Sequence, residues 1–417
     1  MATVPPEAGV GANPTLPAPR HSLVPTVNIA PAIGWPAGKK PKVIDGFTVQ
    51  PFASGLDHPR WLYVLPNGDV LVAETNAPPK PDDEKGLKGW AMKLVMGMAG
   101  ATVPSANRIT LLRPANDGAV VALKTAFLQG LNSPFGMALL DGYLYVADTD
   151  ALLRFPYTAG QTTITAPGEK LLSLPAGTIN HHWTKNVVAS PDGKHLYISV
   201  GSNSNVGENG LDNEAERASI WEYDIATGAH RIYASGLRNP VGMAWQPQSE
   251  KLWVAVNERD EIGSDLVPDY MTQVKENGFY GWPYSYYGQH VDSRVEPVRP
   301  DLVSRAIKPD YALGAHTASL GLTFYGAELF PTSYQGGAFI GQHGSWNRRP
   351  HNGYKVVFVP FANGRPAGAA GDFLTGFLSD DQKAYGRPVG VAVDKQGALL
   401  VDDDVGNTVW RVTPRHQ

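Results

Sequence analysis

The chain has 417 residues, of which only 18% are charged, with 45 glycines, 35 prolines and no cysteine. The missing cysteine excludes disulfides, thiolate catalysis and zinc–thiolate centres, and a formal net charge of −4 gives no electrostatic basis for nucleic-acid binding. No run reaches the roughly 18 apolar residues of a membrane span, and the Gly, Pro and aromatic content suits a turn-rich all-β structure.

In chain order, residues 1–45 read as a tail wrapped on the surface or partly disordered, because residues 4–41 are rich in Pro, Gly and Ala without periodicity. The tail lacks a charged start followed by an apolar core, so the periplasmic or secreted location expected for the protein requires that its signal peptide has been removed. From residue 46 onward one unit recurs six times. Each copy opens on polar residues and a turn, then runs into small and apolar residues. The copies are Leu56-Asp57-His58-Pro59-Arg60-Trp61, Leu131-Asn132-Ser133-Pro134-Phe135-Gly136, His182-Trp183-Thr184-Lys185-Asn186-Val187, Leu237-Arg238-Asn239-Pro240-Val241-Gly242, Ser319-Leu320-Gly321-Leu322 and Arg387-Pro388-Val389-Gly390.

A Gly/Asn/Asp turn and a second apolar run follow most copies, as in Pro66-Asn67-Gly68 before Val70-Leu71-Val72 and Pro191-Asp192-Gly193 before Leu196-Tyr197-Ile198, which is hairpin grammar. A third strand often follows, and residues 231–233 supply a fourth. The openings are 75, 50, 56, 81 and 68 residues apart. Six repeats of about four strands predict an all-β, six-bladed β-propeller over residues 46–417.

Three segments interrupt the repeat. Residues 76–107 form an insertion whose apolar residues between Gly86 and Met98 recur at helical spacing, which predicts a short helix serving as a rim lid or a partner-docking surface. The loop 201–210 is too rich in turn formers to be strand and belongs at the rim. Residues 268–301 carry Tyr280, Trp282, Tyr284, Tyr286 and Tyr287, either as a wall for a sugar or as ordinary packing. Asp402, Asp403 and Asp404 read as a solvated loop or a cation site.

The innermost strand of each propeller blade starts beside the central channel, so the residues opening each repeat converge on one mouth. They bring Asp57 with Arg60, Asn132, His182 with Lys185, Arg238 with Asn239, Ser319, and Arg387, joined by His343 and Arg348 from the polar segment 341–349. Several cations and a histidine around a depression predict a site for a multiply anionic ligand. The loop 257–265 offers hard oxygen donors for Ca²⁺.

At these residues the chain resembles the soluble quinoprotein glucose/sorbosone dehydrogenase family, and within it the sorbosone dehydrogenase branch. The matching pieces are residues 237–242, the His182 segment leading into Pro191-Asp192-Gly193, Asn257-Glu258-Arg259-Asp260, Phe279-Tyr280-Gly281-Trp282-Pro283, and His343-Gly344-Ser345-Trp346-Asn347-Arg348. The resemblance implies pyrroloquinoline quinone (PQQ) and Ca²⁺ as cofactors. It places the catalytic base on His182, quinone contacts on Arg238 and Asn239, a polar contact on Asn132 and the last cationic contact on Arg387. Lys185 or Arg348 takes the place of the family's cofactor lysine, and the metal ligands fall at Glu258, Arg259 and Asp265; in the glucose dehydrogenase branch backbone carbonyls of the loop matching Glu258-Arg259 bind the metal, so side-chain identity there need not matter.

The implied reaction is oxidation at C1 of an aldose or an aldosulose such as sorbosone. His182 takes the hydroxyl proton, Arg238 stabilises the oxyanion, and an external cytochrome, quinone or dye accepts the electrons. The alternatives are a Ca²⁺-dependent lactonase and a non-catalytic sugar-binding propeller. The lactonase needs several carboxylates or amides on one metal, whereas the repeat openings supply one carboxylate, Asp57, against three or more cations.

Overall fold

The computed structural model describes residues 1–21, 26–79, 97–98, 103–116 and 118–415, so the helix expected near residues 86–98 lies outside the described residues apart from its last two. Six antiparallel sheets stand in a ring. Blade 1 runs outward through Pro59–Val64, Val70–Glu74, Arg108–Pro114 and Val121–Leu128. Blade 2 is Met137–Leu140, Tyr143–Ala147, Ala151–Pro156 and Glu169–Ser173, and blade 3 is Val187–Ala189, His195–Val200, Ser219–Asp224 and His230–Ser235. Blade 4 is Asn239–Gln246, Lys251–Asn257, Pro268–Gln273 and Tyr311–Ala315, and blade 5 is Ser319–Phe324, Ala338–Gln342, Lys355–Val359 and Gly371–Thr375. Blade 6 closes the ring with Pro388–Val393, Leu399–Asp403 and Thr408–Pro414, its outer strand being Phe47–Ser54 from the other end of the chain.

The repeat unit has a packing reason. Its glycine lies where the next blade's backbone crosses: a Cβ on Gly242 would meet the Leu320 carbonyl oxygen at 2.5 Å, one on Gly136 would collide with the Val187 backbone nitrogen and one on Gly321 with the Val389 carbonyl, while at Gly390 the tight neighbour is the Asp402 carboxylate of its own blade at 2.6 Å. Register breaks fall at the same place, between Pro59 and Trp61, Pro240 and Met243, Ser319 and Gly321, and Pro388 and Val391. Each bulge adds twist and turns the strand's opening residues toward the axis. Just inside, Trp61, Phe135, Trp183, Val241, Leu320 and Val389, one from each blade, belong to a single buried cluster that floors the mouth. Blade 3 has no glycine at this crossing; there Asn186 donates to the Val241 carbonyl at 2.8 Å.

Antiparallel pairing sets what else reaches the mouth. Pro59 lies opposite Glu74, Asn239 opposite Asn257, and Pro388 opposite Asp403. The end of every second strand therefore arrives beside the start of the first, bringing the residues that follow it.

Two sequence readings resolve here. Tyr280, Trp282, Tyr286 and Tyr287 are buried, so the aromatic loop is packing and not a wall open to a sugar. Asp402, Asp403 and Asp404 are buried too, so the loop is not solvated. They lie at the end of the second strand of blade 6, where Asp402 accepts from Gly390 N at 2.6 Å and Asp403 from Arg387 N at 2.8 Å, and burial pushes both pKa values up despite these bonds.

Candidate active site

One half of the mouth is built where blades 3 and 4 meet. His182 sits against Gly201, close enough that a Cβ on that glycine would meet both the His182 Cβ and the Asn239 Oδ1 at 2.5 Å. Its ring Nδ1 lies 2.9 Å from the Ser202 carbonyl oxygen and 3.0 Å from the Ser202 hydroxyl. A carbonyl oxygen only accepts, so this contact assigns the proton to Nδ1 and the lone pair to Nε2. Ser202 N in turn donates to the Arg238 carbonyl at 2.7 Å, locking the histidine segment to the start of blade 4.

The Arg238 side chain is buried and directed into the protein. Nε donates to the Asn205 carbonyl at 3.1 Å, Nη1 to the Glu258 carbonyl at 2.8 Å, and Nη2 to the Asn205 Oδ1 at 3.0 Å, with the Asp260 carboxylate at 3.8 Å. Burial lowers its pKa, and Asp260 and Glu258 oppose that shift. The guanidinium thus staples the 205 and 257–260 loops together, which corrects the expectation that it faces a substrate oxyanion. Burial would push Asp260 up, but the hydrogen bond and charge of His316 and the charge of Arg238 take it down to about 2.

The other half joins blades 1, 5 and 6 around one buried carboxylate. Asp404 Oδ2 accepts from Arg60 Nη1 at 2.9 Å and His343 Nε2 at 2.8 Å, and His58 Nε2 stands 3.5 Å away. Burial opposes ionisation of Asp404, but the charges gathered around it, with the His343 hydrogen bond, hold its pKa far below the usual carboxylate range. Burial takes His343 down to about 4 despite Asp404, helped by Arg387 and Arg60, so at neutral pH it is an uncharged donor. Arg60 also lies 5.8 Å from the Trp183 ring, which links the two halves. Arg387 lies 5.3 Å from the Tyr354 ring, and its Nη2 donates to the Ala30 carbonyl at 3.3 Å. The Nε atoms of Arg60 and Arg387 and the Oδ1 of Asn239 are buried with no hydrogen-bond partner among the described residues.

The remaining expected residues stand apart from this arrangement. Asn132 is exposed at the opening of blade 2, and Asp57 pairs with Arg108 at 2.5 Å. Ser319 is buried against Thr317 and Asp269. Lys185 is wholly buried with Nζ 3.2 Å from the Trp183 carbonyl, and desolvation takes its pKa well down. Arg348 donates to the Ser264 and Pro350 carbonyls at 2.9 and 2.8 Å.

The side chains at the three positions expected near the metal are engaged elsewhere. Glu258 pairs with Arg259 at 3.0 Å; Arg259 continues to Asp292 at 3.2 Å and to the Pro283 and Ser285 carbonyls; Asp265 is held by Thr3 and Arg348. Among the described residues no three His, Asp or Glu side chains form a metal-binding group. Sequence reasoning also missed Ser202, Asn205, Asp260 and Asp404, all of which follow the second strand of a blade. The available signal was topological: strand ends reach the same mouth as strand openings.

Fold and site together define a six-bladed propeller whose mouth pairs a tautomer-fixed histidine with buried arginine donors. The chain matches the TrAA12-like family over residues 104–278 and 301–415, and it belongs to that family, among the soluble quinoprotein dehydrogenases. It is 24% identical over 446 residues to a pyrroloquinoline quinone-dependent pyranose dehydrogenase of Coprinopsis cinerea, an alignment covering 91% of this chain but 56% of that protein's length. In structure it is similar to the holo form of that enzyme's PQQ domain, with a TM-score of 0.72 and 21% identity over 93% of this chain and 100% of the other. It is equally similar to the calcium structure of a family AA12 enzyme of Trichoderma reesei, with a TM-score of 0.72 and 19% identity over 94% and 99% of the two chains. These two likenesses establish the fold.

Proposed function

We propose that this protein is a PQQ-dependent dehydrogenase that oxidises C1 of a cyclic aldose, or of a hydrated aldosulose such as sorbosone, to a lactone or acid. The observation that carries this reading is the fixed tautomer of His182 beside Asn239, in a mouth where the buried Nε atoms of Arg60 and Arg387 have no hydrogen-bond partner among the described residues. PQQ has three carboxylates, and Arg60 and Arg387 present N–H groups suited to them. Asn239 has an amide to offer a polar ring atom. When bound, PQQ supplies an electrophilic quinone that accepts a hydride.

The chain's own residues do the rest. The His182 Nε2 accepts the C1 hydroxyl proton, and Ser202 holds the ring in the tautomer that makes this possible. Arg238 keeps the 205 and 257–260 loops in place around the site. The apolar floor of Trp61, Phe135 and Trp183 excludes water from the channel side. Calcium as a companion of the cofactor is supported by the calcium-bound relative. Its expected ligands at 258–259 are backbone carbonyls, on which the ion pairs of the Glu258 and Arg259 side chains do not bear, and no step is assigned to it. The lack of a carboxylate cage among the described residues also weighs against a metal-dependent lactonase.

An external cytochrome, quinone or dye takes the electrons, which agrees with a periplasmic or secreted location; no helix among the described residues is long and apolar enough to cross a membrane. The test is a PQQ titration of the purified protein followed by absorbance, with and without Ca²⁺, then dye-linked turnover on glucose, sorbosone and simple aldehydes. Turnover is expected only with PQQ and to be lost on chelation. Undiminished turnover in exhaustively chelated, PQQ-free protein refutes the proposal.

A further inference from the structure

The N-terminal segment 26–35 lies outside the repeat, and nothing in the functional reading uses it, yet it touches the cationic half of the mouth at every turn. Asn28 N donates to the Trp346 carbonyl at 2.8 Å and Asn28 Nδ2 to the Arg348 carbonyl at 2.7 Å, tying the segment to the loop after blade 5. Ala30 is fully buried, and its carbonyl is an acceptor for Arg387 Nη2 at 3.3 Å. The Pro31 carbonyl accepts from Ala384 N at 2.8 Å, and Ile33 N donates to the Ala384 carbonyl at 2.9 Å, three residues before Arg387. Trp35 Nε1 donates to Asp403 Oδ2 at 2.6 Å, and the Oδ1 of that carboxylate accepts the Arg387 backbone N–H at 2.8 Å.

Arg387 is therefore gripped twice through this segment, at its guanidinium by Ala30 and at its backbone by way of Asp403 and Trp35. Trp35 is itself fixed by Phe377, Tyr385 and Trp410, with ring centroids 5.3 to 5.5 Å apart. A free arginine side chain samples many rotamers. Fixing it before the ligand arrives removes part of the entropic cost of binding. Since Nε has no partner among the described residues, the fixed arginine keeps a donor for a ligand carboxylate.

We propose that residues 26–35 are a strap that positions Arg387 for an anionic ligand, so that Asn28, Ala30 and Trp35 act as positioning residues of the mouth. This rests on the reading above, in which Arg387 holds a PQQ carboxylate. The test uses the full-length chain and measures PQQ dissociation constants by absorbance titration, with thermal midpoints recorded alongside. Trp35→Phe keeps the ring and removes the N–H donor. Trp35→Ala removes both, and Asn28→Ala frees the strap from the 346–348 loop. Each is made in the wild-type chain and in Arg387→Ala.

In the wild-type background Trp35→Ala is expected to weaken PQQ binding about tenfold, the scale of one net hydrogen bond. Trp35→Phe and Asn28→Ala are expected to weaken it roughly three- to tenfold. In Arg387→Ala none should weaken it further, while the thermal midpoint drops by the same amount in both backgrounds. A purely structural strap would lower affinity equally in both. Equal losses in both backgrounds, or unchanged affinity in all three variants while Arg387→Ala loses it, overturn the strap and leave the functional reading standing. A wild-type chain that does not bind PQQ overturns both.

Discussion

Replacement of His182 by alanine is the sharpest test of the mouth's chemistry. The ring is held on its Nδ1 side by two oxygens of Ser202, at 2.9 and 3.0 Å, which commits Nε2 to accepting a proton. Removing a general base costs roughly 10²- to 10⁴-fold, so His182→Ala should slow quinone reduction at least about 100-fold while PQQ still binds. Ser202→Ala deletes the hydroxyl and keeps the carbonyl, a loss of about 1 kcal/mol or near fivefold in rate. The neighbouring His181 is exposed and meets His182 edge-to-face with ring centroids 4.7 Å apart. Such a contact is worth about 0.5–1.5 kcal/mol, so His181→Ala should cost roughly two- to tenfold. Anaerobic stopped-flow mixing of PQQ-loaded variants with sugar reads all of this. A His182→Ala enzyme that reduces quinone at a near wild-type rate, or a His181→Ala enzyme that is the inactive one, refutes the assignment.

Arg387→Ala should weaken PQQ binding more than it slows saturated turnover, because its side chain offers a carboxylate contact and no proton; titration and steady-state kinetics together separate the two. Arg259→Met should lower stability by about 3–5 kcal/mol in chemical denaturation, since it strands the buried carboxylate of Glu258, whereas Asp292 keeps Arg294 at 2.8 Å. An unchanged denaturation midpoint would show that this pair does not organise the 257–292 region. Asp148 is buried, with Oδ1 unpartnered among the described residues, and desolvation raises its pKa to about 7. Its folded pKa lies above the unfolded value, so the folded state binds more protons between pH about 4 and 7 and stability falls as pH rises through that window. Asp148→Asn should flatten this slope and gain on the order of 2 kcal/mol above pH 7, after allowance for relaxation around the site.

Sequence alone determined the architecture, because a propeller repeats its constraint: each blade needs a turn to enter the axis and an apolar residue for the floor, and most place a glycine after them. Gly136, Gly242 and Gly321 answer one steric demand, the close crossing of the next blade's backbone, three times, so they recur at readable spacing. The same repetition marked His182, Asn239 and Arg387 as residues of the mouth. What the sequence could not show is where each long side chain goes once it arrives. Arg238 and Arg387 open their repeats alike, yet Arg238 turns into carbonyls of the 205 and 258 loops, whereas Arg387 meets the Ala30 carbonyl and keeps an Nε with no partner among the described residues, because different loops reach the two guanidinium groups.

The acids and amides that complete the site, Asp404, Asp260 and Asn205, come from the ends of second strands and the loops beyond them. No period marks these loops, and their residues meet the mouth only once antiparallel pairing has folded strand ends back beside strand openings. The same holds for the N-terminal segment: nothing in a stretch of Pro and Ala announces that Ala30 will lie under an arginine 357 residues away. Local pattern records contacts made by every blade, whereas contacts made once, between segments far apart in the chain, exist only in the folded molecule.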